Sequence, residues 1–248
     1  MSATRRLVLI HGFTERPAMW ATLINQINDP TLAISTPTIP GHGALPEIPH
    51  ELTAESYCKA IAEQLPHDDL PWIVVGHSMG GYLAATLARM FPDRIAALGF
   101  FHSKAGADNA AKIEDRKRAI ATAEHNKDLY IGTMLRNTFS AKNIERFREP
   151  LTQMIADAQH DISYACIAAA HTVMIERADG VSNINNANYP VAYFLGTDDK
   201  SISFESLQSE LDEMKRAQIT LIENAGHMGH IECFEEAAEW LKNLCAEN

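Results

Sequence analysis

The run Gly76-His77-Ser78-Met79-Gly80-Gly81 constrains the fold more than any other segment. An apolar stretch, Trp72-Ile73-Val74-Val75, enters it, and a helical pattern from Tyr82 to Met90 leaves it. A G-x-S-x-G segment between strand and helix places glycine on both sides of a sharp, strained turn, where a Cβ would collide. Such a turn lifts the Ser78 hydroxyl clear of the sheet, with the N–H groups of the next helix beneath it, which is where a nucleophile sits. The competing reading is a Gly-rich turn whose serine only caps the helix. The strand before it and the helix after it favour the nucleophile.

A serine hydroxyl is a poor nucleophile until a base accepts its proton and a carboxylate orients that base. Downstream, Val191-Ala192-Tyr193-Phe194-Leu195 reads as a buried strand ending in Gly196-Thr197-Asp198-Asp199. A second strand, Ile219-Thr220-Leu221-Ile222, runs into Asn224-Ala225-Gly226-His227. Both strands deliver their polar residues to one edge of the sheet. Asp198 and Asp199 are alternatives for the acid at this point, and His227 and His230 for the base.

Taken together, these features resemble an α/β-hydrolase-fold serine hydrolase, esterase-like, over nearly all of the 248 residues. The order Ser…Asp…His is that family's order. Leu7-Val8-Leu9-Ile10-His11-Gly12-Phe13 resembles its first strand and His-Gly-x turn, and Pro40-Gly41-His42-Gly43 its loop after the next strand. The resemblance implies a catalytic triad of Ser78, Asp199 and His227, because the acid falls three residues after Gly196 and Ala225-Gly226-His227-Met228 resembles the histidine loop. It also implies an oxyanion hole from the backbone N–H groups of Phe13 and Met79. His11 and His42 are expected to bond to backbone, His77 to pack against loops, His230 to sit at a surface or helix start, and His102, near the end of a strand, to line the substrate pocket or simply to fill it.

No metal or other cofactor is expected. The chain lacks H-E-x-x-H, paired Cys/His spacing, a phosphate loop and a dinucleotide fingerprint. At this length roughly 70–75% of the unfolded surface is buried on folding, and 46% hydrophobic content fills one sizeable core. The 21 Lys+Arg against 32 Asp+Glu give a net charge of −11, which argues against nucleic acid or anionic membrane as partner. It also disfavours highly anionic substrates unless a local basic patch offsets it. Arg116-Lys117-Arg118 reads as a solvated helix face. Cys58, Cys166, Cys233 and Cys245 have no framework spacing and read as free thiols of a cytoplasmic protein. The apolar run after Arg5-Arg6 is too short for a signal peptide, and nothing reaches membrane-spanning length.

Strands at about 6–10, 32–36, 72–76, 95–101, 191–196 and 218–223 alternate with helices, predicting α/β architecture with a mostly parallel sheet of about six strands covered on both faces. The short lead into Leu7 leaves no room for the antiparallel hairpin that commonly opens the family. Residues 103–188 break the rhythm with helical patterns at roughly 108–125, 127–136, 142–157 and 161–178. The expected organisation is a core of 1–102 and 189–248 with a helical lid inserted at 103–188. Ile131, Met134, Leu135, Phe139, Ile162, Cys166 and Met174 are candidates for a cavity lining or for packing within the lid.

The expected activity is hydrolysis of a small or medium carboxylic ester, a small-molecule substrate, through an acyl-enzyme. Two other readings share the fold. One is a lyase of the menaquinone-biosynthesis type, which His11-Gly12-Phe13 followed by Met19-Trp20 resembles and which would need cationic pocket groups for substrate carboxylates. The other is a slow-turnover ligand-binding receptor that keeps the triad.

Overall fold

The computed structural model describes residues 3–246. Six strands, β1 (Arg5–Ile10), β2 (Leu32–Ser35), β3 (Trp72–His77), β4 (Ile95–Phe101), β5 (Val191–Gly196) and β6 (Gln218–Ile222), form one sheet in the order β2-β1-β3-β4-β5-β6. Every neighbouring pair is parallel. The strands are continuous apolar runs because side chains alternate between two covered faces. Val8 and Ile10 enter one buried cluster with Val74, Leu98 and Tyr193. Leu7 and Leu9 enter the other with Val75, Phe101 and Trp240.

The helices are α1 (Ala21–Ile24), α2 (Ala54–Ala62), α3 (Met79–Met90), α4 (Ala110–His125), α5 (Lys127–Thr138), α6 (Arg148–Asp161), α7 (Tyr164–Glu176), α8 (Val181–Asn185), α9 (Phe204–Glu213), α10 (Gly229–Glu232) and α11 (Phe234–Ala246). On the first face lie α2, α3 and α9, and on the second α1 and α11. Between β4 and β5 the chain builds α4 to α8, with α4 against α7 and α5 against α4 and α6. These helices have a cluster of their own, around Ile131, Leu135, Phe139 and Ile167.

Side-chain caps set several helix starts. Asn109, Asn126 and Ser163 each accept a backbone N–H from the first turn of α4, α5 and α7, satisfying a donor that has no intrahelical partner. The helix expected at 142–157 instead runs from Arg148 to Asp161. Pro150 is the cause, since a proline is accommodated in a first helical turn and not in an interior. The last residues of the expected insertion, 183–188, contain the end of α8. Among the described residues no helix is long and apolar enough to cross a membrane.

Candidate active site

Ser78 occupies the turn between β3 and α3 at φ 51° and ψ −118°, a backbone region that side chains rarely adopt. The surrounding structure holds it there. Its N–H donates to the Phe101 carbonyl at 3.1 Å, and its carbonyl accepts from Gly81 N at 3.0 Å and Ser103 Oγ at 2.6 Å. The glycines are required by contact: a Cβ on Gly76 would lie 2.2 Å from the Gly80 backbone, and one on Gly80 would lie 2.4 Å from the Ile10 and His11 carbonyls. Met79 opens α3, so its N–H is one of the four that an α-helix leaves without an internal acceptor. Phe13, on the loop after β1, borders the same cavity as Ser78.

Asp199 lies on the loop after β5 and is buried. Its Oδ1 accepts the N–H groups of Ser201 and Ile202 at 2.8 and 2.9 Å, which fixes the carboxylate plane. Its Oδ2 accepts from His227 Nδ1 at 2.7 Å and from His102 Nδ1 at 3.1 Å. Burial alone would raise the carboxyl. The charge of His227 and the hydrogen bonds from His102 and His227 outweigh it and hold Asp199 well below the usual carboxylate range. A Nδ1–H pointing at the carboxylate leaves Nε2 of His227 as the free base. Asp198 faces elsewhere, accepting from Ser140 Oγ at 2.6 Å with Lys142 at 3.9 Å.

His102 is fully buried behind Asp199 and is not on the cavity wall, contrary to the expectation that it lines the pocket. It directly follows β4 with a positive φ of 46°, which turns the ring inward toward Asp199. Burial pushes its pKa down to about 4. The ligand atoms of His102, Asp199 and His227 lie within 4.8 Å of one another, close enough to suggest a metal centre. Both Nδ1 atoms, however, converge on one carboxylate oxygen as hydrogen-bond donors, so the donor set is already engaged within itself.

Two acids that sequence reasoning passed over hold the histidine loop. Glu15 is buried, accepts Gly12 N at 2.7 Å, and accepts from His77 Nδ1 at 2.6 Å. His77 Nε2 then donates to the His227 carbonyl at 2.9 Å. Since both ring nitrogens donate to oxygens, His77 is an imidazolium, and burial, which lowers its pKa, is outweighed by Glu15, which raises it. Glu232 accepts from the N–H groups of Gly226 and Ser140 at 3.1 and 3.0 Å, tying the histidine loop to the end of α5. His230 is buried in α10, 4.0 Å from Glu15, so it is at a helix start and not at the surface. His11 and His42 bond to backbone as expected.

Ser78 and His227 border a cavity of about 240 Å³, most of whose remaining lining comes from α4, α5 and α7. Of the candidate lining residues, Met134, Leu135 and Met174 border it, whereas Ile131, Phe139, Ile162 and Cys166 pack inside the helical cluster. Lys112, Arg116, Tyr130 and His171 also border it. Arg116 is buried, which corrects the reading of Arg116-Lys117-Arg118 as one solvated face; only Lys117 and Arg118 are exposed, paired with Glu114 and Asp115.

The model of the alpha/beta hydrolase family matches residues 7–240. A pimeloyl-[acyl-carrier protein] methyl ester esterase of Neisseria meningitidis is 25% identical over 94% of this chain and 91% of its own length. Lipase LipV of Mycobacterium tuberculosis is 38% identical over 98 residues, 39% of this chain and only 36% of that protein, so the likeness to it spans about a third of its length. Among solved structures, a thermophilic esterase from Thermogutta terrifontis superposes with a TM-score of 0.85 at 24% identity, covering 98% of this chain and 92% of that one, a likeness of fold.

Proposed function

The chain belongs to the alpha/beta hydrolase family, and from that membership we propose that it is a serine esterase cleaving small or medium carboxylic esters through an acyl-enzyme. One observation carries the reading. Ser78 stands on a strained turn and borders the same cavity as His227, whose Nδ1 lies 2.7 Å from the buried Asp199 carboxylate. The named esterases among the relatives point the same way.

In the proposed reaction Ser78 Oγ attacks the ester carbonyl carbon while His227 Nε2 takes its proton, and the electron pair of the carbonyl moves onto oxygen. The N–H groups of Phe13 and Met79 stabilise that oxyanion, and Asp199 stabilises the imidazolium. Collapse expels the alcohol, which leaves with the proton from His227. Water attacks the acyl-enzyme with His227 again as base, releasing the acid and restoring Ser78. Residues 103–188 act as the lid, placing Met134, Leu135 and Met174 around the acyl or alkyl group.

The test is hydrolysis of a p-nitrophenyl ester series by wild type and Ser78→Ala, following burst and steady state. Serine-dependent turnover with a chain-length optimum is expected. Absent turnover, or a burst that stalls after one equivalent, would overturn the esterase reading in favour of a lyase or a receptor.

A further inference from the structure

One wall of the cavity is basic, and the chemistry above makes no use of it. Lys112 and Arg116, one helical turn apart on α4, border the cavity together with Ser78 and His227. Behind them Asp108, whose side chain is fully buried, pairs with Arg116 Nε and with Arg177 at 2.8 Å, and Lys104 stands 3.7 Å away. One carboxylate therefore faces three cations. The neighbouring acids answer other groups. Glu210 accepts the N–H groups of Ala105 and Gly106 and the Tyr193 hydroxyl, Asp179 accepts those of Ala107 and Val181, and Asp115 at the cavity rim pairs with Arg118.

Lys112 is left over. Its Nζ donates to the Ser201 carbonyl at 3.2 Å, and among the described residues no carboxylate forms an ion pair with it. It is half-buried, and it also borders an adjoining cleft of about 140 Å³ that Lys104 and Lys200 share. Burial first, and then the charge of Arg116, push the Lys112 pKa down, outweighing the opposing pull of the Asp108, Asp115 and Asp199 carboxylates. Burial likewise drives His171 to about 3, helped by Arg116 and Lys112. An ammonium held in partial burial beside other cations, with N–H donors unengaged, is a site short of an anion.

We propose that Lys112 is the centre of an anion-binding subsite, so that the ester cleaved at Ser78 carries a carboxylate or phosphate on the portion that reaches α4. The proposal deepens the esterase reading and rests on it for the reaction. A net charge of −11 repels anions at long range, so selection here is a short-range effect of the wall. A charge-assisted hydrogen bond to a partly desolvated ammonium favours the anionic substrate on the order of 10- to 100-fold over its neutral isostere.

The experiment compares kcat/KM for monomethyl esters of the dicarboxylic acids from succinate to suberate with that for methyl alkanoates of matched length, in wild type, Lys112→Met and Lys112→Arg. A parallel series of methyl esters carrying a terminal phosphate separates the two sources of anion. Wild type is expected to prefer one anionic series by on the order of 10- to 100-fold at one chain length. The ratio should collapse toward unity in Lys112→Met and return in part in Lys112→Arg. A wild-type ratio at or below unity for both tails, or an unchanged ratio in Lys112→Met, overturns the subsite. If no ester of any kind is turned over, the esterase reading fails separately, and calorimetric titration of Ser78→Ala with dicarboxylates and alkyl phosphates decides the subsite. Binding that disappears when Lys112→Met is added supports it, and absence of binding overturns it.

Discussion

Replacing Glu15 by Gln isolates the buried acid–histidine pair that props the His227 loop. Glu15 and His77 have side chains 4% and 1% exposed, so water screens their 2.6 Å contact very little. Burial raises the Glu15 carboxyl, but the charge and hydrogen bond of His77 outweigh it and bring the pKa from 4.5 to about 2. A fall of that size is worth about 3 kcal/mol of stability, in line with the roughly 3–5 kcal/mol lost when one partner of a buried pair is removed. Because the folded pKa is depressed, this contribution is fully present above pH 4.5 and is lost as pH falls toward 2. His77 has the opposite sign: its raised pKa supplies stability below its ordinary value of 6.5, which fades as pH climbs through the folded value.

Glu15→Gln should therefore lower the unfolding free energy at pH 7 by about 3 kcal/mol, or Tm by about 6–12 °C for a chain of this size. It should also flatten the part of the acid-stability curve between pH 4.5 and about 2. Urea unfolding followed by circular dichroism across pH 2.5 to 8 measures both. A loss below about 1 kcal/mol at pH 7, or an unchanged acid limb, would refute the reasoning, because either result means that His77 carries no charge for Glu15 to hold.

Asp199→Asn should lower kcat by about 10⁴, since the imidazole loses its tautomeric anchor, while Asp198→Asn should change steady-state kcat little; equal losses at both positions would refute the assignment. Gly80→Ala should fail to give folded protein, or lose about 4 kcal/mol or more, because the new Cβ would lie 2.4 Å from two backbone carbonyls that cannot move aside; a soluble variant with wild-type Tm would contradict the contact. Met134→Trp should shift the acyl-length optimum of kcat/KM to shorter esters by filling part of the cavity; an unchanged length profile would remove α5 from the substrate's path.

The sheet was legible because each strand is a short apolar run bounded by turn residues, and all six lie within a residue or so of their expected bounds. The turn at Ser78 was legible because its glycines answer backbone collisions that any sequence of this local shape must avoid. Helix α6 was misplaced because apolar periodicity continues upstream of Pro150, and the proline carried the more reliable signal. Glu15 was not legible at all. Its partners come from the first loop and from a histidine 62 residues away, and a lone glutamate in a loop resembles a solvated one.

The basic wall, by contrast, left a trace in the sequence. Successive residues of an α-helix are separated by about 100°, so three consecutive cations cannot share one solvated face. Arg116 falls four residues after Lys112 and three before Ala119, and these three border the cavity together with Asp115, which pairs with Arg118, whereas Lys117 and Arg118 turn to solvent. Reading the charges by helical position instead of as a run separates the inward stripe from the outward pair. The same step explains how a chain with net charge −11 keeps a cationic cavity wall: net charge sums over the whole surface, but the field within a cavity is set by the few charges whose counterions are missing there. Among the described residues no carboxylate forms an ion pair with Lys112, which is why the substrate's own charge is the quantity to vary.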